Sequence, residues 1–427
     1  MDSVNSSKEA DMESIFPIEL PQETILDVVI KSKDCSDRGL VKVISYNIAP
    51  ADNDLGLSGD YYSLSVTFKT DEKDGECNQQ FFIKMLPVRY PMERNRVKYL
   101  KLFDREKIMY ATMNRLESEI KQNWRPNFYF ANDSLLVMED IKKMNFQCLS
   151  SSQISPELTK ACLEQLAQLH AKGIAENISK GISNLQKDSP LNDCLLERYN
   201  PWVQTGFMAI QALALKDARN QSDQRQKFIK DELILSMNNI FDLLKATNDT
   251  LKILCHCDLR PKNIFFKKVE DGQDSDSKIQ CRFVDFQEVR CLPPAIDVLL
   301  FLYYNLREPI LTDDIFTEYT KYYYAKLKSC CENMNIDLGN HLTDADFEET
   351  LDRYKGLALV MRALHAPFLC DPSYTFQLRN KDIEKYIECM SADRLEMIAA
   401  VCEKDKTSEL FISESIQAIV EFFDREQ

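Results

Sequence analysis

Glycine is scarce, ten in 427 residues. The hairpin-like stretch "SGDYYSLSVTF" supplies one of them, Gly59, and nothing of the G-x-G-x-x-G form in which bare backbone cradles phosphates. A basic excess is also missing: the formal charge is −15, which argues against non-specific attraction to nucleic-acid backbones or anionic lipid. Long apolar runs are absent, since the longest, around "AIDVLLFLYYNL", is short of the ~20 residues that cross a bilayer and carries Asp297. The start "MDSVNSSKEADMES" is neither basic-then-apolar nor Arg-rich, so it reads as no signal or transit peptide. Cysteine is plentiful at fourteen but lacks the repeated spacing of a disulfide framework, and Cys255 with Cys257 has no second pair at zinc spacing. The expectation is a cytoplasmic chain with no nucleic-acid and no membrane partner.

What is present is an apolar content of 44% in a chain long enough for a two-lobed molecule. Residues 1–14 read as a disordered tail, because they offer little apolar surface to offset ordering entropy. Residues 15–140 read as a β-rich lobe. "DYYSLSVTFKT" and "QQFFIKMLP" form one expected hairpin, and "NFYFANDSLLVMEDI" forms another turning at Asn132-Asp133. Between them "RVKYLKLFDREKIMYATMNRL" reads as one helix.

Residues 141–427 read as mainly helical. Ser155, Thr312 and Thr343 are placed as N-caps, and Pro156 as a first helical residue. "ALKDARNQSDQRQK" reads as an exposed loop or a solvated helix face, and "KKVEDGQDSDSK" as a turn. The expected class is α+β, bilobal, with a β-rich first lobe and a helical second.

The stretch "ILCHCDLRPKNIFF" interrupts the helical remainder and places His256, Asp258 and Asn263 within eight residues. Downstream, "KIQCRFVDFQEV" reads as a strand ending at Asp285, with "NIFFKK" as its partner. A loop carboxylate, a loop amide and a second carboxylate brought together meet the needs of phosphoryl transfer with ATP and Mg²⁺. Asp258 is the candidate base, Asn263 and Asp285 the candidate metal ligands, and His256 a brace. The bland account is a polar hairpin with surface carboxylates.

Lys84 lies inside the apolar "FFIKMLP", where an unpaired ammonium is costly. Phe103, Glu106, Tyr110 and Met113 fall on one helical stripe, making Glu106 its expected partner and Glu93 the alternative acid. The other account has Lys84 at the sheet edge, snorkelling, with Glu106 at the rim of the stripe. Ser58 and Ser63 supply hydroxyls for a phosphate-covering hairpin, and the backbone of Glu139 to Ile141 reads as a hinge that receives an adenine edge, although any strand exit looks similar.

In this order the motifs resemble the aminoglycoside and choline kinase superfamily, and within it the insect ecdysteroid kinase-like (CHK kinase-like) family, over about residues 40–420. The resemblance rests on the lysine strand "FFIKMLP", the helix "FDREKIMY", the hinge "LLVMEDI", the helix "LAQLHA", the loop "HCDLRPKN" and the triplet "DFQ". It implies a protein-kinase-like fold and ATP- and Mg²⁺-dependent phosphorylation of a small-molecule alcohol, an ecdysteroid or related steroid or a hydroxylated xenobiotic. It agrees with Asp258 as base, Asn263 and Asp285 on Mg²⁺, and Lys84 with Glu106 at the phosphates. From "PPAIDVLLFL" it also implies that Asp297 braces the catalytic loop.

Two departures stand out: Cys257 replaces the usual glycine, and "RPK" replaces a segment that typically begins with Trp. Cys257 and the glycine-poor hairpin motivate the competing expectation of a kinase-like protein that binds without transferring phosphate; a choline- or amine-type kinase is the further alternative. His170, His341 and His365 read as packing histidines. Tyr323, Met361, His365 and Phe368 are candidates for an acceptor pocket.

Overall fold

The structure, a computed structural model, describes residues 20–33, 38–51, 58–70, 73–88, 90–116, 124–180, 191, 200–245, 251–269, 278–306 and 311–425. The expected tail and most of the "KKVEDGQDSDSK" turn lie outside the described residues. The chain divides into two compact units, one of Met1–Tyr99 with Asn127–Met144 and one of Leu100–Pro126 with Asn145–Gln427. A β-rich first unit and a mainly helical second one are the α+β division expected from the sequence.

The first unit is a five-stranded antiparallel sheet made of β1 (Val41–Pro50), β2 (Asp60–Thr70), β3 (Lys73–Met85), β4 (Phe128–Ala131) and β5 (Leu135–Glu139), in the order β1-β2-β3-β5-β4. Period-two alternation sends Tyr62, Leu64, Val66 and Phe68 of β2 to one face, where Phe81, Ile83 and Met85 of β3 join them. Helix α1 (Gln22–Ser32) covers that face with Ile25, Val28 and Val29.

Both expected hairpins form. In the second, the Asn132 Oδ1 accepts from the amides of Ser134 at 2.8 Å and Leu135 at 3.0 Å, so a side chain closes the turn. Lys84 is on the central strand and 4% exposed, which removes the sheet-edge account of it.

The single helix expected after the first hairpin is two, α2 (Pro91–Tyr99) and α3 (Leu102–Leu116), and the compact units part between them. Lys101 takes φ 52° and breaks the i→i−4 ladder. Apolar spacing runs on across a one-residue change of backbone, so periodicity does not register the break. The expected stripe does form, with Phe103, Glu106, Tyr110 and Met113 all buried.

The second unit continues with α4 (Pro156–Lys180), α5 (Pro201–Lys216), α6 (Asp223–Asp231), α7 (Leu233–Lys245), α8 (Pro294–Asn305), α9 (Asp313–Glu332) and α10 (Asp344–Cys370), followed by four shorter or terminal helices to Arg425. Thr312 and Thr343 cap α9 and α10, and the Ser155 hydroxyl accepts the Leu158 amide at 3.3 Å. "ALKDARNQSDQRQK" resolves into the end of α5, a 3₁₀ turn opened by Asp217, and α6 opened by Ser222.

Short strands carry the loop of interest: β6 (Gln147–Cys148) pairs with β8 (Ile264–Val269) and β8 with β9 (Lys278–Phe283), while β7 (Ile253–Cys255) pairs with β10 (Arg290–Leu292). No described helix is long and apolar enough to cross a membrane.

Candidate active site

The loop leaves β7 at His256 and is tied at once to α8. The buried Asp297 carboxylate accepts the His256 amide at 2.6 Å and the Cys257 amide at 2.7 Å. Cys257 holds φ 63°, the left-handed backbone that favours glycine, with its amide anchored on Asp297. A third partner, His170 Nε2 at 3.0 Å, completes the Asp297 environment, and His170 Nδ1 meets the Tyr323 hydroxyl at 2.5 Å.

His256 accepts the Asp258 amide on Nδ1 at 3.3 Å and faces the Val284 carbonyl with Nε2 at 3.0 Å, where it donates. Burial lowers its pKa, consistent with the neutral tautomer this pattern requires. His256 thus stitches the loop to the residue before Asp285.

Asp258 is 5% exposed. The Asn263 Nδ2 donates to its carbonyl at 2.8 Å and to its Oδ2 at 2.9 Å, and Arg260 Nη2 lies 3.0 Å from the same Oδ2. The Asp258 carboxyl is pushed up to about 7, chiefly by burial and further by Glu288 and Asp285, against the pull of Arg260 and the Asn263 hydrogen bond. The loop is closed from below by Asn305, whose Nδ2 donates to the Leu259 carbonyl at 2.7 Å.

Asp285 lies just past β9 rather than on its end, with φ 65°. That turn buries Phe286 edge-on against Tyr110 at 5.4 Å and Trp124 at 5.8 Å, and tilted 4.6 Å from the His256 ring. The triplet therefore joins the Glu106 helix to the loop of His256 inside one packed cluster.

The donor set suits Mg²⁺, which prefers oxygen ligands. With its Nδ2 spent on Asp258, Asn263 keeps Oδ1, which accepts from none of the described residues. Asp258, Asp285 and Glu288 share one electrostatic neighbourhood that a divalent cation would relieve. Among the described residues, His170, Cys255 and Asp297 are the one group of such side chains close enough to share a metal. Its carboxylate is already filled by two amides and an imidazole, so it is a brace.

In the first unit, Gly59 sits where an added Cβ would meet the Lys84 Cγ at 3.3 Å and the Met85 carbonyl at 3.1 Å, so the one glycine of the hairpin permits close approach to the lysine strand. Ser58 accepts from Arg96 Nη2 at 3.0 Å, and Glu93 pairs with Arg96 Nε at 2.8 Å. Ser63 lies opposite Phe82 in the β2–β3 ladder. At the expected hinge the Glu139 amide donates to the Asn127 carbonyl at 2.8 Å and the Ile141 carbonyl accepts from Met144 at 3.1 Å, whereas the Ile141 amide donates to none of the described residues.

Of the acceptor candidates, Tyr323 is fully buried on His170 and Met361 is buried, which takes both out of a binding surface. His365 and Phe368 are half-buried and lie tilted against Trp202, at 5.0 and 6.1 Å between centroids. Trp202, Tyr304 and the His170–Asp297 pairing escape sequence reasoning because each depends on a contact more than 40 residues distant; Arg260 stands inside the loop motif, two residues from Asp258, and escapes because the motif gives that position no role.

Several solved structures are similar to the chain. They include a Plasmodium vivax ethanolamine kinase, at 14% identity and TM-score 0.43 over 91% of this chain and 88% of that one. An amicoumacin kinase in complex with AMP-PNP, Ca²⁺ and its ligand gives 12% and 0.44 over 90% and 88%. An aminoglycoside phosphotransferase from Alicyclobacillus acidocaldarius gives 13% and 0.35 over 90% and 92%. No curated protein shows significant sequence similarity to the chain. A family model described as the ecdysteroid kinase-like family matches residues 58–336, well over half the chain, and the chain belongs to that family.

Proposed function

We propose that the chain phosphorylates the hydroxyl of a small-molecule alcohol with ATP, and that the acceptor is an ecdysteroid, a related steroid or a hydroxylated xenobiotic. Family membership supports a small-molecule kinase. The observation that carries the reading is the Asp258 carboxylate, held by Asn263 and Arg260 on a loop stitched through His256 to the turn bearing Asp285. As the acceptor oxygen bonds to the γ-phosphorus, its proton passes to Asp258, the bond from that phosphorus to the bridging oxygen breaks, and ADP leaves. Mg²⁺ held by Asn263 and Asp285 would neutralise the phosphates.

Lys84 with Glu106, and the Ser63 hairpin, are assigned to the phosphates, Glu139 and Ile141 to the adenine, and His256 and Asp297 to support. The unspent Ile141 amide supports the adenine assignment. The expected site is cytoplasmic.

A second reading is a kinase-like binding protein, favoured by Cys257 in left-handed backbone and by the ion pair that already occupies Asp258. Incubation with ATP, Mg²⁺ and a panel of ecdysteroids, hydroxylated plant compounds and choline-like amines, followed by mass spectrometry, separates the two. A product heavier by one phosphate supports transfer; bound ATP without product supports the second reading.

A further inference from the structure

Beside Asp258 the second unit carries an aromatic surface that no step above uses. Trp202 at the start of α5 and His365 and Phe368 near the end of α10 are half-buried and in ring contact. The fully buried Tyr304 links these rings to the neighbourhood of Asp258. Tyr304 of α8 meets His365 Nδ1 through its hydroxyl at 3.3 Å, its ring is 5.4 Å from the His365 ring, and it lies within electrostatic reach of both Asp258 and Arg260.

Beneath the rings is Arg394, 1% exposed. Its guanidinium lies 4.6 Å from the Trp202 centroid and 5.7 Å from that of Phe368. It donates to the Trp202 and Leu364 carbonyls, yet its Nε is buried without a hydrogen bond. Among the described residues no carboxylate pairs with Arg394, and the titratable groups in its electrostatic reach are the Cys389 thiol and the His365 ring. Gly206 makes room for it, since an added Cβ there would meet the Arg394 Nη1 at 2.8 Å.

A buried guanidinium already in cation–π contact from below gives the rings the wrong field for a second cation above. His365 shows what the place does to positive charge. It lies in reach of Arg260 and Arg394 and, among the described residues, of no carboxylate, and burial with those two arginines lowers its pKa to about 3. Cages that hold ammonium groups back their electron-rich faces with acids, whereas here the rings are backed by an arginine.

Resting on the phosphotransfer reading above, we infer that the apolar body of the acceptor seats on Trp202, His365 and Phe368, and that Arg394 beneath them makes this surface select an uncharged ring-bearing alcohol and reject cationic amino alcohols. The flat rings supply apolar contact area, and Asp258 stands at the reactive end.

Trp202 and the fully buried Trp124 are the two tryptophans of the chain, so intrinsic fluorescence reports on the surface without any turnover. The unaltered protein is titrated, without ATP, with an ecdysteroid, a flavonoid, choline and kanamycin. Saturable change with at least one of the first two, lost in Trp202→Phe, and none with choline or kanamycin at tenfold higher concentration is expected. Choline or kanamycin changing the emission at equal or lower concentration, or no neutral compound changing it, overturns the inference. His365→Glu is expected to admit choline, with the choline Kd falling at least tenfold.

Failure here is distinguishable from failure of the kinase reading. Saturable binding with no phosphorylated product leaves the surface standing and removes the transfer. A phosphorylated steroid whose KM is unchanged in Trp202→Ala keeps the transfer and removes the surface; a KM raised at least tenfold, with the KM for ATP unchanged, supports both.

Discussion

The Asp297 carboxylate accepts the Cys257 amide at 2.7 Å and thereby holds a residue with a side chain in left-handed backbone, φ 63°. The strain of that conformation is local, and the contact that opposes it comes from a helix forty residues away. Cys257→Gly is accordingly expected to stabilise the protein by about 1 kcal/mol, less the greater entropy of glycine in the unfolded chain. The check is the urea midpoint; a lower midpoint would mean that the Cys257 thiol, 3.5 Å from the Cys255 carbonyl, contributes more than the strain removes.

Asp297→Ala leaves two loop amides and His170 without their acceptor in a fully buried place. A loss of about 3–5 kcal/mol is expected, as for other buried pairs broken on one side. Asp297→Asn keeps an acceptor oxygen and should lose less. Chemical denaturation of the two variants orders them, and equal losses would sink the brace assignment.

Asp258→Ala should lower kcat by on the order of a thousandfold while nucleotide binding persists, because a general base acts on the acceptor proton and not on ATP. Activity equal to the parent protein would remove Asp258 from the base role. Single-turnover kinetics with bound nucleotide measured separately gives both numbers.

Asp285→Ala is expected to weaken binding of Mg²⁺ with ATP as well as turnover. Ligand at a hundredfold over Kd stabilises a native state by about 2.7 kcal/mol, so the rise in melting temperature with Mg²⁺ and ATP should shrink in the variant. An undiminished rise would place the metal elsewhere.

His365 gives the molecule an acid sensitivity. Its folded pKa is lowered to about 3, while in the unfolded chain it titrates near about 6.5. Below about pH 6.5 the unfolded state therefore binds a proton that the native state refuses, and stability falls as the pH drops towards 3. His365→Gln removes that contribution, so the gap between parent and variant should change in favour of the variant between pH 7.5 and pH 5. Parallel stability curves would show that His365 does not titrate in this way.

The strands, the helix caps and the site motif were legible because each is a local pattern. Period-two alternation placed β2 and β3, Thr312 and Thr343 marked helix starts by hydrogen bonds that span three residues, and "HCDLRPKN" with "DFQ" named Asp258, Asn263 and Asp285. The reading failed at Lys101, where one residue's backbone breaks an apolar period that continues, and it placed Asp285 on a strand end instead of in the left-handed turn beyond it.

By itself the sequence determined which chemical groups are available and in what order, since carboxylate, amide, lysine and apolar spacing are properties of the chain. Only the tertiary structure decided what each group feels. Asp258 is drawn by Arg260 and pushed by Glu288 and Asp285, Asp297 is filled by His170 and two amides, and Trp202 meets both His365 and the buried guanidinium of Arg394. Electrostatic and ring contacts fall off over a few ångströms in space, whereas their partners here stand up to 192 residues apart along the chain, as the Arg394 hydrogen bond to the Trp202 carbonyl does.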